Sequence, residues 1–213
     1  MKTGSSGRLP GFMALVMITV FSGLALGGTF TLTEDKIREQ AEIAADNARR
    51  TVMPQADDFR IMNESDGLID WCYEALEADG AVGYVAQTTV NGFGGPIEII
   101  AGVDNEGRIT GVSVGGSNFA ETPGLGANAK NKSFTDEFIG KHGGISAVKA
   151  GKVRGENDID AMTSATITSS AVADGVNIIC SYVENIGSAS QEASAPAQSS
   201  ETENTENGEG GAV

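Results

Sequence analysis

The chain has 213 residues, 29 acids against 14 bases and a formal net charge of -15, a balance that excludes nucleic acid as a partner, because phosphate backbones are met by clustered Lys and Arg. One histidine, His142, and two cysteines, Cys72 and Cys180, leave tetrahedral zinc sites and Ser-His-Asp machinery without their parts. The length suits one domain of ordinary size with extensions.

From Leu9 to Phe30 there is no charge, and Lys2 and Arg8 precede the run while Glu34 and Asp35 follow it. A helix of that length crosses a bilayer. The flanking charges leave residues 1–8 in the cytoplasm, span the membrane with 9–31 and put the rest on the far side. A second reading is a cleaved signal peptide, since Ala25-Leu26-Gly27 follows the apolar core with small residues at the required spacing.

Thr33 to Arg50 opens with a capping threonine and acids and closes on paired arginines, which predicts a helix whose charges suit its dipole. Its apolar stripe is narrow: Ile37, Ala41, Ala44, Ala45 and Ala48. Residues 32–70 are expected to form a helical linker region ending in an acidic loop, 55–67. The domain proper is expected over 71–187. Residues 81–90 and 96–115 alternate and turn like β structure, with hairpin turns at 91–95 and 104–107, so at least three antiparallel strands are expected. A short amphipathic piece follows, with Phe134, Phe138 and Ile139 on one side, then a strand or strand pair near 145–155. Val172, Val176, Ile179 and Val183 fall at helical spacing, predicting a helix from Thr168 to Ile186 that packs on the sheet. The tail 188–213 has five glutamates, no base and no aromatic, and is expected to be disordered. The fold class is α+β: a transmembrane helix, an antiparallel sheet with packed helices, and an acidic tail. Cys72 and Cys180 admit either one disulfide or two separate thiols.

Six of the ten residues from Ala161 to Ser170 carry a hydroxyl. Such a run suits a turn that leads into a helix cap. Nucleophilic catalysis has no base nearby to serve it. A third use for one of these alcohols is as a covalent attachment point.

Asp160-Ala161-Met162-Thr163-Ser164-Ala165-Thr166 resembles the Asp-x-x-Ser/Thr-Gly-Ala-Thr motif on which a flavin transferase esterifies FMN to the final threonine. The preceding GFGGPIEIIAGVDNEGRITGV and the loop Glu121-Thr122-Pro123-Gly124-Leu125-Gly126 stand in the same order as in the G subunit of the Rnf complex and the related C subunit of the sodium-pumping NADH:quinone reductase. The similarity runs from the apolar helix to about Ile186.

The resemblance implies FMN held by a phosphodiester on Thr166, with Asp160, Thr163, Ser164 and Ala165 forming the attachment loop. The loop Glu121, Thr122, Pro123, Gly124, Leu125 and Gly126 would lie against the cofactor. It implies an electron-carrying subunit of a membrane-bound, ion-translocating ferredoxin:NAD oxidoreductase. Its partners would be the other subunits, the transferase during maturation, and membrane lipid. Redox chemistry would rest on the flavin, with no catalytic side chain and no metal. One departure stands out: Ser164 replaces the motif's usual glycine, adding a Cβ and a rival hydroxyl. Two other readings are a membrane-tethered binding or scaffold domain without cofactor, and a flavin carrier in a different extracytoplasmic redox pathway. Gly92, Gly94 and Gly95 suit either a second approach to the cofactor or a plain hairpin turn, and His142 and Trp71 are assigned to structure.

Overall fold

The computed structural model describes residues 11–63, 67–149, 152 and 155–194, without the side chains of 63 and 188–194. Helix α1 spans Gly11–Val52 without a break, so the apolar segment and the expected linker helix are one rod. No proline lies between Pro10 and Pro54 to interrupt it, and Pro54 stands just beyond its end.

Five strands follow: β1 Asp58–Asn63, β2 Trp71–Glu77, β3 Gly80–Asn91, β4 Pro96–Asp104 and β5 Ile109–Gly115. They form an antiparallel meander in the order β1-β2-β3-β4-β5. Strand β1 lies inside the segment expected to be an acidic loop. Its alternation is masked in the sequence by Asp58 and Arg60, and its pairing with β2 aligns Arg60 with Glu74, which bridge as an ion pair across the two strands.

The period-2 pattern of β4 explains the two layers. Ile97, Ile99, Ala101 and Val103 enter a core shared with Val172, Val176, Ile179 and Val183 of helix α3, Thr166–Ser194. On the opposite face Ile100 joins Val85 and Ala75 around Val52 and Met53 at the end of α1. There the backbones come close: a Cβ on Gly111 would lie 2.8 Å from the Cα of Val52, and the Thr110 hydroxyl donates to the Val52 carbonyl at 2.5 Å. Arg49 lies over the rings of Tyr73 and Trp71, 4.5 and 5.5 Å from their centroids, which fixes the last turns of α1 to the sheet.

After β5 the chain makes a 3-10 turn, Gly126–Lys130, and a short helix α2, Lys132–Thr135. Phe134 and Phe138 are buried edge to face, but Ile139, expected beside them, is half exposed. Strands β6 Ser146–Lys149 and β7 Asp158–Ala161 pair in parallel as a separate small sheet. Helix α3 begins at Thr166, two residues before the expected cap, and continues to Ser194. It thus enters the segment expected to be disordered, whose remainder lies outside the described residues, as do residues 1–10. Cys72 and Cys180 are both buried and not joined in a disulfide.

Candidate functional site

The hydroxyl-rich run leaves β7 through a tight turn. The Ala165 N–H donates to the Met162 carbonyl at 3.0 Å, and Ser164 has φ 61°, the only positive φ outside glycine among the described residues. A positive φ at the third position of a turn is the type II pattern, which favours glycine. Ser164 therefore holds a left-handed conformation at the position where the motif usually has glycine.

Ser169 ties this turn to α3. Its Oγ accepts the Met162 N–H at 2.9 Å and donates to the Ala165 carbonyl at 2.9 Å, while its own N–H donates to that carbonyl at 3.0 Å. Ala165 is thus the residue at which the helix begins, and the N–H groups of Thr166, Ile167 and Thr168 are first-turn donors without intrahelical acceptors.

The second loop is a turn over Thr122-Pro123-Gly124-Leu125, closed by the Leu125 N–H to the Thr122 carbonyl at 3.1 Å, with Gly124 at φ 79°. Glu121, at its start, is buried, and its Oε1 accepts the Gly94 N–H at 3.0 Å. The carboxylate thus links the 91–95 turn to this loop instead of bonding within its own turn. Gly126 completes the packing: a Cβ there would meet the Glu121 carboxylate and lie 2.8 Å from the Thr168 hydroxyl. Gly94 packs as closely on the Ala120 carbonyl.

These elements enclose a cavity of about 350 Å³. Of the residues expected from sequence, Glu121, Thr122, Leu125, Gly126, Ser164, Ala165 and Thr166 line it. Pro123, Gly124 and Thr163 shape the two turns without lining it. Asp160 sits on β7, where its backbone N–H donates to Glu137 at 2.8 Å, also off the cavity wall.

Three lining residues lie outside the expected set: Phe93, Ile167 and Thr168. Phe93 has a visible signal in the sequence, an aromatic at the tip of a glycine turn. Thr168, expected at the helix cap, is fully buried inside the first turn of α3, and its Oγ1 has no hydrogen-bond partner. An orphaned buried hydroxyl costs about 1–3 kcal/mol unless something fills its hydrogen-bonding capacity.

The cavity combines two chemistries. The start of α3 offers free N–H groups and the positive end of a helix dipole, which favours an anionic group such as a phosphate. Phe93, Leu125 and Ile167 offer apolar surface suited to a planar ring. Thr166 is exposed on the wall between them. Glu121 is the only ionisable side chain among the lining residues, and its Oε1 accepts the Gly94 N–H.

Residues 92–180 match the FMN-binding domain family. Over 160 residues the chain is 35% identical to the G subunit of the proton-translocating ferredoxin:NAD(+) oxidoreductase complex of Clostridium ljungdahlii, covering 75% of this chain and 83% of that protein. Over 191 residues it is 31% identical to the G subunit of the Na(+)-translocating ferredoxin:NAD(+) oxidoreductase complex of Acetobacterium woodii, covering 82% and 90%. Among solved structures, the C subunit of the Na(+)-translocating NADH-quinone reductase from Parabacteroides distasonis is 25% identical, with a TM-score of 0.49 over 61% of this chain and 77% of that one.

Proposed function

The chain belongs to the family of G subunits of Rnf-type ion-translocating oxidoreductase complexes, and we propose that it carries electrons within a ferredoxin:NAD oxidoreductase complex through FMN esterified to Thr166. The observation that carries this reading is the cavity at the start of α3, where an exposed Thr166 stands between unpaired N–H groups and an apolar wall.

The residues present suit the group. The N–H donors of the first α3 turn and the orphaned Thr168 hydroxyl would hold the phosphodiester, and Phe93, Leu125 and Ile167 would border the ring. Bound there, the flavin would supply electron acceptance and release, which the side chains of this protein cannot. The small side chain of Ala165 would leave room for it, and Gly126 lets Glu121 and Thr168 pack closely behind the wall. The Glu121–Gly94 bond holds the two loops at a fixed separation, so the cavity is formed before the cofactor enters.

Attachment would be the work of a transferase. Its step forms the Thr166 Oγ–P bond and breaks the P–O bond to the leaving group of an activated flavin nucleotide; the departing phosphate oxygen takes up the hydroxyl proton. Asp160 would serve recognition by that enzyme, since it lies off the cavity wall. Residues 11–31 of α1 would cross the membrane, with the amino terminus cytoplasmic and the domain on the far side, where a permanent bond keeps a cofactor that could not be replaced from the cytosol.

Co-expression of the full chain with a flavin transferase tests this. A denaturing gel under ultraviolet light is expected to show a fluorescent band for the wild type and for Thr168→Ala, and none for Thr166→Ala. A dark wild-type band would favour the tethered binding domain without cofactor. A fluorescent protein that co-purifies with no Rnf-type subunits would favour a different extracytoplasmic pathway.

A further inference from the structure

We propose that the polar edge of the flavin ring lies in a second groove on the other side of Thr166, where Asp174 accepts the ring N3–H and holds the reduction potential down. This inference rests on the reading of Thr166 as the flavin attachment point and deepens it.

The groove has a volume of about 600 Å³ and runs between the end of β3 and one stripe of α3. Thr166 and Ile167 line it as well as the first cavity, so the attachment point stands on the divide between the two. Thr166, Ser170 and Asp174 follow at every fourth residue and therefore share the stripe, about 12 Å from first to last. Val90 and Asn91 of β3 face them across the groove. Close packing at Gly175 holds this stripe against the sheet: a Cβ there would lie 2.4 Å from Cδ1 of Ile99 and 3.2 Å from Cγ1 of Val90. The position of Asp174 beside the end of β3 is thus set by the core and not by its own contacts.

The two openings differ in the way the two ends of an isoalloxazine differ. Its dimethylbenzene end is apolar and suits Phe93 and Leu125, which border only the first cavity. Its pyrimidine end carries an N–H between two carbonyls, which calls for an acceptor flanked by donors. The Asp174 carboxylate supplies the acceptor, and the Asn91 amide and Ser170 hydroxyl supply the donors. Asn91 and Asp174 are exposed and Ser170 is half-buried, and none of these three side chains is hydrogen-bonded to another described residue. Other acids of the domain are tied down: Asp70 accepts from Gln87 and Thr89, and Asp104 from the backbone of Glu106 and Arg108. No lysine or arginine lines either opening, so the charge of Asp174 is not offset beside the ring. Reduction adds electron density to the pyrimidine end, and a negative charge held there opposes it.

The full chain, loaded by a co-expressed flavin transferase and purified in detergent, tests the assignment through two readouts. Spectroelectrochemistry gives the midpoint potential, and resonance Raman gives the N3–H bend, identified by its shift in deuterium oxide. Asp174→Asn keeps an acceptor and removes the charge, so the potential is expected to rise while the bend stays in place. Asp174→Ala is expected to raise the potential and also to lower the bend frequency. Glu106→Gln, which removes a charge at the other end of β4, should move neither. A wild-type bend in Asp174→Ala overturns the groove, and so does a rise in potential as large in Glu106→Gln as in Asp174→Asn. A bend that moves in Glu121→Gln instead overturns it in favour of the first cavity. A wild-type protein without flavin fluorescence refutes the cofactor reading itself, and the groove assignment falls with it.

Discussion

Ser164 shows how one side chain alters a site without leaving it. A left-handed conformation costs a residue with a Cβ about 1–2 kcal/mol, and here Ser164 adopts it where the related motif has glycine. Ser164→Gly is expected to raise stability by about 0.5–1 kcal/mol, the relief of strain being partly offset by the looser unfolded chain. Chemical denaturation of the full chain in detergent measures this. The same substitution should speed flavin attachment, read as the rate at which the fluorescent band appears. At Gly126 the opposite holds. A Cβ there meets the Glu121 carboxylate and the Thr168 hydroxyl, so Gly126→Ala should cost about 1–3 kcal/mol and lower the flavin content per protein chain. Thr166, Glu121 and Gly126 are legible in the sequence because motif spacing marks backbone geometry. Thr168 and Ile167 are not legible as cavity residues, because that depends on where α3 begins, and a start shifted by two residues changes which first-turn side chains face the opening.

At the scale of elements, α1 and β1 carry the differences between expectation and structure. The apolar run and the polar helix are each visible in the sequence, but their continuity is not. It follows from the absence of proline between them and from the anchoring of Arg49 on Trp71 and Tyr73. Arg49→Ala should weaken that attachment by about 1 kcal/mol, seen as faster hydrogen exchange at the amides of residues 48–52 with the sheet amides unchanged. Strand β1 is hidden because three of its six residues, Asp58, Arg60 and Asn63, are polar, and only pairing with β2 identifies it. The meander from β3 to β5 is legible, since its alternation and turn residues point the same way. In α3, burial pushes the Cys180 thiol up to about 12, with Glu184 adding to the shift. The folded protein keeps that proton where an unfolded chain, with a thiol near 8.5, gives it up. The contribution is therefore complete below about pH 8.5 and is lost as pH rises toward 12. The dependence of stability on pH between about 8.5 and 11 should be shallower in Cys180→Ala.

Across the whole molecule, the sheet separates two attachments. One face carries α3, whose first turn builds the cavity, and the other face carries the end of α1. A side chain set poor in histidine and cysteine is consistent with a protein that positions a redox group instead of performing redox chemistry itself. Under the proposed reading, a cofactor on the first turn of α3 would be fixed relative to the sheet by the packing of Val172, Val176, Ile179 and Val183, and α1 would fix the sheet relative to the membrane. Fragment mass spectrometry of the full-length protein matured by its transferase tests the central claim most directly. The account predicts an FMN phosphodiester mass on the peptide containing residues 160–172, localised by fragmentation to Thr166; an unmodified Thr166 in fluorescent protein, with the mass on Ser164 or elsewhere, would contradict it.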